Sequence, residues 1–197
     1  AARLIDPRSP YRQCLDLVVS LAEAGKSAEE VARAVEDRWH IEYPATNNAV
    51  ANGGLVAAAV WFGEGDFLKT VNLSFAAGDM TDADCNAANA GAVVGAMRGA
   101  RALPQHLVAP LNDRLAGSAM GGVPITPPVE ERISDVARRI AAVGLKIAAG
   151  EGARVEGGAL LLPLREVETQ PAELFTLSGL TRFWSPEWRL ERAGFGG

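Results

Sequence analysis

Asp82, Asp84 and Asn86 stand at every second position in the stretch from Gly78 to Ala88, beside Thr81 and Cys85. They head an apolar, small-residue segment running through Ala90, Gly91, Val94, Gly95 and Met97 to Gly99. Inside a regular helix such residues would not share a face, because surface neighbours lie three and four apart. At a helix start the cap residue is not helical, and its side chain turns back across the first turn. With Asp82 as N-cap and Asp84 in that turn, both carboxylates converge on one point. Two chemistries are open to such a pair. One is helix capping with compensation of the dipole. The other is a hard-cation site, since Mg²⁺ and Ca²⁺ take oxygen ligands and two carboxylates beside the Thr81 hydroxyl supply part of a shell. Cys85 suits a softer metal than Mg²⁺, and its alternative reading is a small buried hydrophobe. The twelve-residue loop spacing of a calcium module is absent.

The remaining candidates are fewer. Asn47 and Asn48 precede the apolar segment Ala49 to Phe62 and read as helix caps or, with Asn86, as substrate contacts. His40 and His106 are lone histidines with no Cys/His or Ser/His/Asp arrangement around them. The glycine-rich segments lack the lysine of a phosphate-binding loop and the strand-turn-helix setting of a dinucleotide site.

These side chains need a scaffold, and the spacing predicts a mainly helical one. Leu15, Val18, Val19 and Ala22 give a first helix over residues 11–24, ended by Gly25. Ser27 with Glu30 is a capping box that opens a second, with Val31, Ala34 and Val35 inward. Asp66 is placed to cap a helix through Phe67, Leu68, Val71, Leu73 and Phe75, and the motif helix runs from Asp82 to Arg98. Gly91, Gly95 and Gly99, four apart, each cost about 1 kcal/mol relative to Ala, so the close approach of another helix to that face is expected. A short helix is expected around Leu107 to Leu115 and a turn-rich connection over Gly117 to Pro128. A long amphipathic helix is expected from Val129, with Glu130 and Glu131 in its first turn and Ile133, Val136, Ile140, Val143 and Ile147 on one side. Beyond Gly150 the period fades. Leu160 to Leu164 reads as a short strand, and Phe183, Trp184 and Trp188 as a cap on the body. The expectation is an all-α domain over 1–150, with an irregular appendage over 151–197 that can hold a short strand pair.

Composition narrows the function. The 197 residues carry a net charge of −5, with 48% hydrophobic and 22% charged side chains. That leaves no basic footprint for nucleic acid, and no apolar run reaches the roughly 18 residues of a membrane span. Two cysteines without zinc-ligand spacing are expected to be reduced thiols. The chain reads as soluble and cytoplasmic.

The run Asp82-Ala83-Asp84-Cys85-Asn86-Ala87-Ala88, followed by Ala90-Gly91-Ala92, Gly95-Ala96, Gly99 and Ala102-Leu103-Pro104, closely resembles the C-terminal signature of the ADP-ribosylglycohydrolase family, also called crystallin J1-like. Gly63-Glu64-Gly65-Asp66-Phe67 looks like that family's Gly-Asp-Phe element. The similarity covers residues 11 to 115 best. It implies an all-helical bundle with a binuclear Mg²⁺ centre that removes ADP-ribose from a modified protein side chain or a small conjugate. Asp82 and Asp84 would then be metal ligands and catalytic, and Cys85 would occupy a position where many members place a ligating Thr or Ser. Ala83 stands where Thr is usual.

The family's other metal-binding element, a Thr-Asp-Asp run, has no counterpart in this sequence. On that resemblance the chain corresponds to the C-terminal half of the domain and holds half a metal site. It is expected to be inactive alone and to associate with the missing N-terminal half, another chain or another copy, through the Gly91, Gly95 and Gly99 face. The rival expectation is a non-catalytic binding or structural protein on the same scaffold, with the carboxylates as caps.

Overall fold

The computed structural model describes residues 4–40, 48–76 and 82–163. The fold is mainly helical, as the spacing predicts. Seven α-helices and two small antiparallel hairpins follow one another along the described chain: α1 (Pro10–Glu23), α2 (Ala28–Val35), α3 (Ala49–Gly63), α4 (Phe67–Ala76), α5 (Ala83–Arg98), α6 (Gln105–Val108), β1 (Arg114–Met120), β2 (Val123–Arg132), α7 (Ile133–Gly150), β3 (Arg154–Glu156) and β4 (Ala159–Leu161). A single π-turn, Glu36–His40, extends α2.

The first helices begin where short polar side chains can satisfy their free N–H groups. Ser9 Oγ accepts from the Arg12 amide and Pro10 supplies the pre-set first turn of α1. Ser27 and Glu30 cap each other's backbone at α2, the full capping box. Asn48 Oδ1 accepts from the amides of Val50 and Ala51 at α3, while its Nδ2 donates to the Trp39 carbonyl at 3.2 Å. That second bond ties the end of the α2 extension to the start of α3. Asp66 Oδ1 accepts from the Lys69 amide at 2.7 Å and starts α4.

The core lies among α1, α2 and α3. Cys14, Val18, Val31, Val35, Trp39, Ala51, Leu55 and Ala58 form one buried cluster. α3 can sit in its middle because its inward positions are small. A Cβ added at Gly54 would lie 2.5 Å from Cys14 Sγ, and one at Gly63 would lie 1.9 Å from Thr70 Oγ1. α4 and α5 pack on α3 and on each other. Gly91 admits Phe67 there, since a Cβ would sit 3.2 Å from the Phe67 ring.

Four expectations are corrected. The glycine series is not one continuous contact face: Gly91 alone is closely approached, Gly95 faces open space, and Gly99 ends α5 with φ +77°. The helix expected over Leu107 to Leu115 is the single turn α6 plus a 3-10 turn over Ala109–Leu111, and Arg114 already lies in a strand. The connection expected over Gly117 to Pro128 is the β1–β2 hairpin. Gly121 and Gly122, with φ +56° and +80°, form its two-residue turn between the paired Met120 and Val123. Both central residues at positive φ give the turn twist that antiparallel strands prefer. Pro124, Pro127 and Pro128 are tolerated because both strands of a two-stranded ribbon are edges. Finally, α7 starts at Ile133 rather than Val129, so Glu130 and Glu131 belong to β2 and pair across to Ala116 and Leu115.

The start of α7 has a non-local cause. Arg132, its N-cap residue, makes no side-chain cap bond. Asp113 supplies the cap from the turn just before β1: Oδ1 accepts from the Ser134 amide at 2.8 Å, and Oδ2 accepts from Ser134 Oγ at 2.7 Å and Arg132 Nε at 2.8 Å. These bonds hold the Asp113 carboxyl at about 2, the Ser134 contacts contributing most. Among the described residues, α7 adds nothing to the buried core: Ile140, Val143 and Ile147 are 67%, 58% and 63% exposed. The Leu160 strand is present as β4, paired with β3. Leu164, Phe183, Trp184 and Trp188 lie outside the described residues.

Candidate metal centre

Asp82 stands at the N-cap position of α5, and Asp84 lies in the first turn, as the spacing predicts. Asp82 makes no side-chain cap bond. Its carboxylate is thus not committed to the helix end, which is what the capping reading would require of it. One carboxylate oxygen from each Asp and the Cys85 Sγ lie within 4.8 Å of one another, with Asp82 half-buried and Asp84 and Cys85 exposed. Cys85 is therefore not the small buried hydrophobe of the alternative reading; that description fits Cys14, whose burial raises its thiol to about 12.

The three groups act on one another. A hydrogen bond with Asp82, followed by the backbone N–H groups of Asp84 and Cys85, holds Asp84 below the usual carboxylate range. The Asp82 carboxylate, first by hydrogen bonding and then by its charge, pushes the Cys85 thiol up.

What fixes the cluster on the body is an amide that local spacing does not single out. Asn52, on α3, accepts through Oδ1 from the Asp82 backbone N–H at 3.4 Å and from Asn86 Nδ2 at 3.2 Å. Asn86 is 1% exposed, so its amide needs that partner. Asn86 is thus a bracing residue beneath the cluster. Asn52 carries one signal in the sequence, being an amide within the apolar run from Ala49 to Phe62.

The other candidates fall elsewhere. Asn48 is the buried cap of α3. His106 is exposed on the single turn α6. Asn47, Thr81 and the run Gly78 to Met80 lie outside the described residues. A cavity of about 690 Å³ is lined by residues of α6, β1 and β2, including Asp113, Arg114, Glu130 and Arg132. Its acids and bases face each other, with Arg114 on Glu130 at 2.7 Å and Arg132 on Asp113.

By the chemistry of its donors the cluster divides. The two carboxylates fit a hard divalent cation such as Mg²⁺, which takes oxygen ligands and retains waters. The thiol does not fit that ion. The described part of the motif supplies three donors on one face and leaves the rest of a coordination sphere to water or to other residues.

The sequence model of the ADP-ribosylglycohydrolase family matches residues 1–147. No curated protein and no solved structure matches the chain.

Proposed function

The chain belongs to the ADP-ribosylglycohydrolase family, and from that premise we propose that it serves a divalent-cation-dependent hydrolase cleaving the N- or O-glycosidic bond of ADP-ribose conjugates. The observation that carries the reading is the convergence of Asp82 and Asp84 at the head of α5, with the Asp82 carboxylate unused as a cap. Family membership supports hydrolysis of ADP-ribose conjugates; Mg²⁺ dependence and residue roles are the proposed part.

Asp82 and Asp84 would hold the cation, with Mg²⁺ the ion the family resemblance implies. When bound, such an ion supplies charge neutralisation around the ribose diol and an activated water for attack at the anomeric carbon. The protein's own part is positional. Asn52 and Asn86 hold the first turn of α5 against α3, so the carboxylates meet a substrate from a fixed base. Asn48 carries at most a peripheral substrate role in this reading, since its Oδ1 and Nδ2 are spent on backbone partners.

No second acidic run of the Thr-Asp-Asp type occurs in the sequence. We place the other face of a binuclear centre on a partner, either the N-terminal half of the domain or another chain, and the reaction in the cytoplasm. Isothermal titration of Mg²⁺ into the wild-type chain and into Asp82→Asn tests the ligand assignment: measurable uptake that drops at least about tenfold in the variant is expected. Equal uptake by both would return Asp82 to a structural role and favour a non-catalytic protein on the same scaffold.

A further inference from the structure

The two edges of the β1–β2 hairpin are not alike. β2 carries Pro124, Pro127 and Pro128, none of which has an N–H to donate. Its course is also irregular: between the pairs Gly117 with Val129 and Ala119 with Pro124, β1 advances two positions and β2 five. Prolines and surplus residues both keep an edge from templating another strand.

β1 has neither protection. Arg114–Met120 reads Arg-Leu-Ala-Gly-Ser-Ala-Met, with one charge and no proline, and every residue but the half-buried Gly117 is exposed. Among the described residues, β2 is the only strand paired with it. In an antiparallel pair alternate residues turn their N–H and C=O groups away from the partner, so β1 offers a row of donors and acceptors on its outer side.

A second copy of β1 matches that edge in one orientation. Set antiparallel about Gly117, Arg114 of one copy lies opposite Met120 of the other, Leu115 opposite Ala119, Ala116 opposite Ser118, and the two Gly117 residues opposite each other. No like charges meet, and Arg114 keeps its Glu130 partner across the hairpin. A parallel arrangement would instead set Arg114 against Arg114, which is unfavourable. Edge-to-edge joining also relieves the ribbon itself, since two strands alone are marginal in water and three or more sustain a sheet.

We propose that β1 is a self-association edge, where a second copy of this chain adds antiparallel and makes a four-stranded sheet in the order β2, β1, β1, β2. Seven residues a side make a small contact, in the class of weak interfaces below about 1,200 Å². The dimer therefore forms only in concentrated solution. It uses none of the residues of the cluster at the head of α5.

Gly117 gives the test, because a Cβ there meets nothing within 4 Å and its φ lies outside the left-handed region. Side chains can thus be added at the centre of the contact without strain, and circular dichroism like that of the wild type is expected of each variant. Sedimentation equilibrium of the full chain from about 10 μM to 1 mM should show mass rising from one chain towards two. Gly117→Lys, which sets two ammonium groups directly opposite, should weaken association by about fivefold, and so should Gly117→Glu. An equimolar mixture of the two variants should recover it, since Lys then faces Glu. Protection of β1 amides from hydrogen exchange should rise with concentration while that of β2 amides stays constant. A wild-type chain that stays monomeric throughout, association unchanged in both variants, a mixture no tighter than either variant alone, or dimerisation that leaves β1 exchange unaltered overturns the proposal.

Discussion

The stretch from α1 to α5 and the stretch from α6 to β4 are both rich in apolar side chains, yet they use them differently. In the first, Val18, Val31, Val35, Trp39 and Leu55 are all at most 1% exposed and touch one another. In the second, Ile140, Val143, Ile147, Met120 and Val155 are each more than half exposed. The first stretch is held by packing of side chains distant in sequence. The second is held by local pairing: strand on strand, ion pairs across the hairpin, and one carboxylate capping α7. An amphipathic pattern thus specifies a helix without specifying what its apolar side meets, and the candidate metal centre stands on the packed stretch.

The contrast can be broken first at its strongest point. Leu55→Ala should destabilise the fold by about 2–5 kcal/mol, the usual cost of a cavity at a fully buried leucine, read as a fall in the midpoint of thermal or urea unfolding. Next comes Asn52→Ala, which strands the buried Asn86 amide and should cost about 1–3 kcal/mol. It should also weaken cation uptake with both Asp residues still in place; an unchanged titration would show that α3 does not position the cluster.

At Asp113 the folded value of about 2 lies below the ordinary carboxylate value, so its contribution is fully present above pH 4. It is lost as pH falls from about 4 towards 2. The protection factor of the Ser134 amide, its exchange relative to the intrinsic rate at each pH, should fall over that window, and in Asp113→Asn already at neutral pH, while the amides of α3 stay protected. The smallest effect is expected on α7: Ile140→Ala should change stability by no more than about 0.5 kcal/mol. A loss of Leu55 size would mean that α7 is covered in solution.

The same division governs what the sequence discloses. Caps are written within four residues of where they act, so Ser27 with Glu30, and Asp66, are legible from the residue order alone, as is the placement of Asp82 at the head of α5. The β1–β2 hairpin is not, because three prolines in β2 argue against a strand, and only the edge position of a two-stranded ribbon reconciles them. The start of α7 lies four residues beyond the place its local pattern suggests, because its cap comes from Asp113, across the hairpin, which no local pattern displays. At the cluster, the carboxylate pair is legible from spacing. Its brace is not, since Asn52 and Asn86 are separated by 34 positions and meet only when α3 and α5 pack.

That brace has a thermodynamic side. Because one amide oxygen of α3 serves both the backbone of Asp82 and the side chain of Asn86, a cation seated on the carboxylates is also a ligand of the native core. Linkage then makes occupancy and folding report on each other: at a hundredfold excess over Kd, binding to the native state alone adds about 2.7 kcal/mol to its stability. Heat-induced unfolding with and without metal becomes a binding assay for the cluster, with no substrate required.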